Sequence, residues 1–418
     1  RMVILTMNNA LSKISYFKQS SFVLVKNIRN YSSQNNKTQQ QKQEPHHEKK
    51  DNFDVIINGG GIVGFSLLAS LQTSPFFKEK KVLLFEQQAK ANSSVKKADV
   101  QGERQLSNRV SSLTTSSKNF FQKIRVWDDV KEFTKPIKQM YVWGNNFKNG
   151  IAFTPNGHDQ DDVICYVTEN NRILDSLKTI IDQFGHSVCY GTGIVDVKGE
   201  ENYVDVTTNC SNNDYVNEMK TSLLIGCDGF NSIVRQKSDL KVFEHDLAQC
   251  GIVGTVTVSS DQSNLNNEIA WQRFVPFDRS ILALLPLTNE CCSFVWSTSL
   301  RRANQLMELS DERFVDEMNE ALFVESNQDS TLAVACDKLL NSLLSSKLLP
   351  SIQHPVVSTP QILFLDPGSR ASFPLKFSTT LPYLVGSPHG FKNNRVVIIG
   401  KLIYIKLKFN LYLLLFFR

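Results

Sequence analysis

The sequence predicts an α/β protein in which a sheet carrying a glycine-rich strand-to-helix turn is joined to a second, strand-rich part. Three observations lead there. The short apolar run Val55–Ile57 meets Gly59-x-Gly61-x-x-Gly64, and an apolar helical pattern follows through Leu71. A second apolar run, VLLFE at 82–86, ends in an acid 22 residues beyond Gly64. Farther along, segments 203–208, 250–258, 269–275, 281–287 and 292–298 have the length and β-branched or aromatic content of strands.

Composition limits the alternatives. The 418 residues are 41% hydrophobic and 10% aromatic, enough for a large core and too apolar for a disordered chain. The net charge of +5 sits at the ends. Residues 1–50 carry nine Lys/Arg against two Glu, and 401–418 carry four against none. The body, 51–400, is left with 33 basic and 39 acidic residues, which excludes the basic stripe of a nucleic-acid-binding core.

The first 43 residues lack Asp and Glu but hold seven Lys/Arg among many Ser and Asn, the composition of a mitochondrial targeting peptide. RNYSSQ at 29–34 reads as the processing region, and the low-complexity stretch 35–52 as a disordered linker with a solvated His46–His47 pair. The eight cysteines form no C-x-x-C pair, so no zinc or thioredoxin signature is present; they read as free thiols of a reducing compartment.

The run from residue 51 to residue 88 carries the first chemistry. Gly59 permits a tight turn, and Gly61 leaves the helix N-terminus open to a pyrophosphate, which its N–H groups and dipole favour. Glu86 closes the second strand where a ribose hydroxyl would be bound. Strand, glycines, helix, strand and acid together form a dinucleotide fingerprint that does not choose between NAD and FAD. Leu68 departs from it, standing where a small residue would ease helix-on-sheet packing.

KTSLLIGCDGFNSIVRQ, 220–236, is a strand followed by Asp228-Gly229, an Asn231-Ser232 helix cap and Arg235. Asp228 can take backbone N–H groups or a ribityl hydroxyl, and Arg235 stands one turn beyond the cap, within reach of a phosphate. Equally, the segment reads as a turn and a cap with no ligand.

Gly59–Gly64 with Glu86, followed by D-G-x-x-S-x-x-R at Asp228–Arg235, resembles the FAD-dependent aromatic hydroxylases related to para-hydroxybenzoate hydroxylase. YVTENNRILDSL at 166–177, AWQRFVPFDRSILALLPL at 270–287, FVWSTS at 294–299 and SRASFPLKF at 369–377 are similar to the mitochondrial ubiquinone-biosynthesis branch that hydroxylates the C5 ring position of a polyprenylated hydroxybenzoate. The resemblance spans about 53–400. It implies a Rossmann-like FAD-binding domain (about 53–130, 160–240 and 370–400) with an inserted α+β substrate domain (about 131–159 and 241–369) covered by a β-sheet. It also implies that Arg109, in 107–130, approaches the flavin, that the Asp228–Arg235 motif contacts flavin and pyridine nucleotide, and that Asn170 lies near the flavin. Oxygen would be transferred from a C4a-hydroperoxyflavin, so no catalytic side chain is singled out. The implied partners are molecular oxygen, the polyprenylated aromatic substrate, a ferredoxin with its reductase, and a ubiquinone-biosynthesis complex peripheral to the matrix side of the inner membrane. A hydroxylase of another aromatic ring, an NAD-dependent dehydrogenase and an inactive scaffold component remain as alternatives.

In NNRILDSLKTIIDQFG, 170–185, Ile173, Leu174, Leu177, Ile180, Ile181 and Phe184 share one helical face, and Gly185 can cap its end. NCSNNDYVNEM, 209–219, reads as a polar loop. Trp271 and Trp296 read as core residues or pocket walls. In the resembled family, a strand like RVVIIG at 395–400 continues into Gly-Asp and a glycine-rich loop; here Lys401 follows Gly400. The tail from 402 to 417 is shorter than the ~20 residues of a membrane span and holds Lys406 and Lys408. Residues 401–418 are therefore read as an aberrant apolar tail, a retained intron or gene-model error, which would leave an unpaired strand before it.

The targeting reading makes a prediction: protein isolated from cells should begin between about residues 30 and 50. N-terminal sequencing checks this, and an intact Met2 or Met7 start refutes it.

Overall fold

The computed structural model describes residues 51–90, 106–155, 163–183, 187–210, 213–238, 240, 242–259, 268–324, 359–380, 384–385 and 395–399. The targeting segment, the tail and the Gly185 cap lie outside them.

Strand β1 (Asp51–Asn58) leads through the glycine turn into helix α1 (Ile62–Thr73), and β2 (Val82–Glu86) returns beside β1 in parallel. On the other side of β1, the long strand Asn213–Gly226 is also parallel, followed outward by Val396–Ile398; Ser187–Tyr190 lies beyond β2. A parallel sheet must be covered on both faces, and the alternation of β1 shows how. Val55 and Ile57 face α1 and the helix Asn170–Gln183, while Ile56 faces Ile194, Val206 and Val234 on the opposite side. Ile173, Leu177, Ile180 and Ile181 are buried on the 170–183 helix, the face its apolar spacing predicts.

The close approach of α1 to the sheet does not need a small residue at 68. Leu68 is fully buried among Val55, Ile57 and Leu84. The tight contact is one turn earlier, where a Cβ on Gly64 would stand 1.8 Å from the Gly59 carbonyl oxygen.

The second sheet runs Ile362–Leu365, Val242–Val258, Cys291–Ser299, Ser280–Pro286, Ile269–Val275, Gln139–Trp143, Ile151–Phe153, with Ala371–Thr380 also paired to Val242–Val258. Helices Leu300–Glu308 and Asp311–Phe323 contribute Leu306, Phe314 and Met318 to the same core as Trp143, Phe294 and Ile252. Ser299 and Ser310 cap these helices by accepting the Arg302 and Arg313 N–H groups at 3.3 Å. Arg273, 1% exposed, donates to the carbonyls of Ala321 and Val324 at the C-terminal end of the second helix, where a cation complements the helix dipole. Val110–Leu113, Cys165–Glu169 and Lys135–Ile137 form a small third sheet, and Thr192–Gly199 pairs with Val204–Cys210 in the first.

Several expectations are corrected. Residues 209–210 and 213–219 are strand and not loop: Val204–Cys210 and Asn213–Gly226 pair antiparallel, with Thr208 opposite Asn217. Their polar composition reflects exposure, since Asn209, Asn217 and Glu218 face solvent. The strand Ala371–Thr380 belongs to the second sheet, so the boundary drawn at 370 falls too early. The reading of Trp271 and Trp296 as core residues, by contrast, holds: they are 1% and 0% exposed, and the Trp296 indole donates to Ser280 Oγ at 2.8 Å. Val396–Ile398 is not an unpaired strand but lies buried between Leu384–Val385 and Leu224–Gly226.

Adding one methyl at Gly64 should force α1 off the sheet. Gly64→Ala is expected to lower stability by about 1–3 kcal/mol, the range for overpacking. Thermal melting checks this, and an unchanged midpoint would show that the helix has slack there.

Candidate functional site: a crevice at the strand ends

The carboxyl ends of β1, β2 and the strand Asn213–Gly226 converge on a crevice of about 530 Å³. Its walls are Asn58–Gly61, Phe85–Gln87, Gly193–Val195 and Cys227–Gly229. In open α/β sheets ligands bind at this place, outside the strand ends.

The glycines differ in what they allow. Gly59 has φ +107°, which an L side chain rarely adopts, and its Cβ would strike the Cys227 carbonyl at 2.6 Å. A Cβ on Gly60 would meet Glu86 Oε2 at 2.5 Å. Gly61, at the start of α1, has no heavy atom within 4 Å of a built Cβ, and no side chain caps the helix there. The protein thus leaves open the approach to that helix end, where an anion is favoured.

Two carboxylates frame the crevice. Glu86 accepts the Gly60 N–H at Oε2 and the Gln88 N–H at Oε1, each at 2.7 Å. Asp228 is held through Oδ2, which accepts Ile233 N–H at 2.8 Å, Val234 N–H at 3.3 Å and Asn58 Nδ2–H at 2.9 Å. Asp228 Oδ1 is buried without a hydrogen-bond partner. A buried acceptor in that state is costly unless a ligand donor meets it. Gly229 makes the turn with φ +79°. Burial, with Asp228 beside it, pushes the Cys227 thiol up to about 12, so it stays protonated.

Two arginines lie elsewhere. Arg235 is 7% exposed and turned inward, its guanidinium donating to the Phe230 carbonyl while its N–H is capped by Ser232 Oγ. It braces the Asp-Gly turn and does not line the crevice, which corrects its expected approach to a phosphate. It stands in the middle of the five-residue helix Ile233–Lys237, next to Val234, which packs in the core under the sheet. Arg109 is exposed at the head of the strand Val110–Leu113 and is likewise absent from the crevice walls. Its carbonyl accepts the Asn170 N–H at 2.9 Å. Nearby, Ser107 N–H is held by Glu169 Oε1 at 2.6 Å and Asn108 Nδ2 by the Ser369 carbonyl at 2.7 Å. Leu106–Asn108, Asn171 and Asp366–Ser369 line a second, polar cavity of about 320 Å³. Sequence reasoning passed over Gly60 and Asn58; the one signal was a polar residue ending an otherwise apolar strand run.

A glycine turn at a strand end, an open helix terminus and an unmet carboxylate oxygen define a dinucleotide-binding protein. The chain belongs to the FAD binding domain family, which matches residues 52–334. Among curated proteins it is similar to ubiquinone biosynthesis monooxygenase COQ6, mitochondrial. The Drosophila melanogaster protein is 33% identical over 79% of this chain and 66% of its own length. The Xenopus tropicalis protein is 30% identical over 83% and 71%. The chain thus spans about two thirds of the length of these relatives. Solved structures agree on the fold: Pseudomonas aeruginosa PqsL in complex with 2-aminobenzoylacetate has a TM-score of 0.56 at 16% identity, covering 85% of this chain and 80% of its own. The p-nitrophenol 4-monooxygenase PnpA of Pseudomonas putida has 0.53 at 12%, covering 85% and 74%. FAD is the cofactor.

Removing the Glu86 carboxylate frees two loop N–H groups together with any ligand bond. Glu86→Ala should weaken FAD binding roughly ten- to a hundredfold, the effect of losing charged hydrogen bonds worth about 1.5–3 kcal/mol. Fluorescence titration measures it, and unchanged affinity would place FAD elsewhere.

Proposed function

We propose that this chain is the flavin-binding part of a monooxygenase that hydroxylates the aromatic ring of a polyprenylated hydroxybenzoate in mitochondrial ubiquinone biosynthesis. The observation carrying this reading is the crevice with its unmet Asp228 Oδ1 and open Gly61, in a chain related along most of its length to proteins named for that pathway.

The residues fit the cofactor. Gly59, Gly61 and Gly64 would bring a pyrophosphate against the start of α1, Glu86 would take ribose hydroxyls beside its loop bonds, and Asp228 Oδ1 with Gly229 would receive a donor of the ribityl chain. Arg235 would act indirectly, by bracing the turn that presents Asp228. Arg109 would meet the flavin only where the ring extends beyond the crevice toward the second cavity. Bound FAD supplies activation of molecular oxygen, which side chains cannot. The chain's own task is to hold the cofactor, orient the aromatic ring and keep water out.

Electrons would come from a ferredoxin and its reductase. A site on the matrix side of the inner membrane would give access to a polyprenylated substrate. Attachment there would be peripheral; among the described residues no helix is long and apolar enough to cross a membrane.

The purified protein should be yellow, absorbing near 450 nm, and with a ferredoxin reducing system and prenylated 4-hydroxybenzoate analogues it should add one oxygen atom to the ring, as read by mass spectrometry. Binding of NAD without FAD refutes the reading. Turnover only of non-prenylated phenols refutes the assigned substrate.

A further inference from the structure

Asn58 is the polar end of a strand whose preceding residues, Val55–Ile57, are 0–4% exposed. It is itself 7% exposed and stands in register between Gly226 and Phe85. Strand alternation puts its side chain on the face of Ile56, the face that packs against Val234. There Asn58 Nδ2 donates to Asp228 Oδ2 at 2.9 Å across 170 residues of sequence, while its carbonyl accepts the Cys227 N–H at 2.7 Å. One residue thus holds both the backbone and the side chain of the Cys227-Asp228 turn.

With Ile233 and Val234 N–H, this bond brings three donors to one carboxylate oxygen, leaving Oδ1 as the oxygen with no partner. A carboxylate turns freely about its last bond unless both sides of the rotation are defined. The short helix supplies one side and Asn58 the other. An apolar side chain at 58 would satisfy the strand's burial equally well, so burial alone does not account for an amide here.

We infer that Asn58 is a positioning residue for the flavin site: it fixes the rotation of the Asp228 carboxylate in the crevice wall so that the unpartnered Oδ1 is held ready to accept a hydroxyl donor of the bound dinucleotide. This rests on the flavin reading above and adds a residue to it.

The test is a double-mutant cycle on FAD affinity, read by flavin fluorescence on the full chain. Asn58→Val is close in size, suits a strand and removes the donor; it should raise Kd about three- to tenfold, as loss of one buried hydrogen bond predicts. Asn58→Ala serves as a second probe should valine disturb the strand, and thermal melting checks that each variant folds. On an Asp228→Ala background, Asn58→Val should change Kd by less than about twofold, because the group it positions is gone. A merely structural role would lower the melting temperature and leave the two losses additive. Additive losses, or an unchanged Kd in folded Asn58→Val and Asn58→Ala while the unaltered protein binds FAD, overturn this inference alone. Failure of the unaltered protein to bind FAD overturns the flavin reading and this inference with it.

Discussion

The backbone contact between Gly64 and the Gly59 carbonyl sets the geometry on which the crevice depends. A methyl group there would stand 1.8 Å from the oxygen, so α1 closes against the turn that ends β1 with no room for a side chain. That nearness carries the start of α1 to the strand ends and leaves the space at Gly61 open. It also lets larger residues complete the packing: Phe65 and Leu68, both 0% exposed, fill the layer between helix and sheet. Burying side chains of that size contributes about 1.5–3 kcal/mol each. The glycine thus lets the helix seat bulky neighbours beside the small, buried Ala69.

The two acids at the crevice are structural before they are ligands. Glu86 spends a bond from each oxygen on the loop around Gly60, and Asp228 spends Oδ2 on three donors. Each is thereby fixed before any ligand arrives, and preorganised acceptors lose little freedom on binding. The difference between them lies in what is left over. Both Glu86 oxygens are already engaged, whereas Asp228 retains one wholly unmet oxygen.

Where local chemistry dictates structure, the sequence was readable. The β1–α1–β2 unit, the apolar face of the 170–183 helix and the five later strands are set by periodicity and by Gly59 and Gly64, where a side chain would collide with backbone. What escaped depends on partners distant in sequence. The pairing of 204–210 with 213–226 looked like a loop because its exposed positions are polar on both strands. Arg235 looked like a phosphate ligand because nothing local reveals that its side chain folds back on Phe230. The polar end of the β1 run marked Asn58 as unusual but did not reveal its partner, because Asp228 is 170 residues away. Strand Ala371–Thr380 was assigned to the wrong part because its partner Val242–Val258 begins more than a hundred residues earlier.

The tryptophans divide unevenly between the two parts of the molecule. Of four in the chain, Trp143, Trp271 and Trp296 lie in the core of the second sheet, and Trp127 alone packs against the crevice-bearing layer. All four are buried, so their emission should shift to the red as each core opens to water. Indole fluorescence is therefore weighted toward the second sheet, while flavin release follows the first. During denaturation the two optical signals superimpose only when both sheets melt as one cooperative unit. The placement of the indoles gives this protein a built-in spectroscopic measure of how tightly its two sheets are coupled.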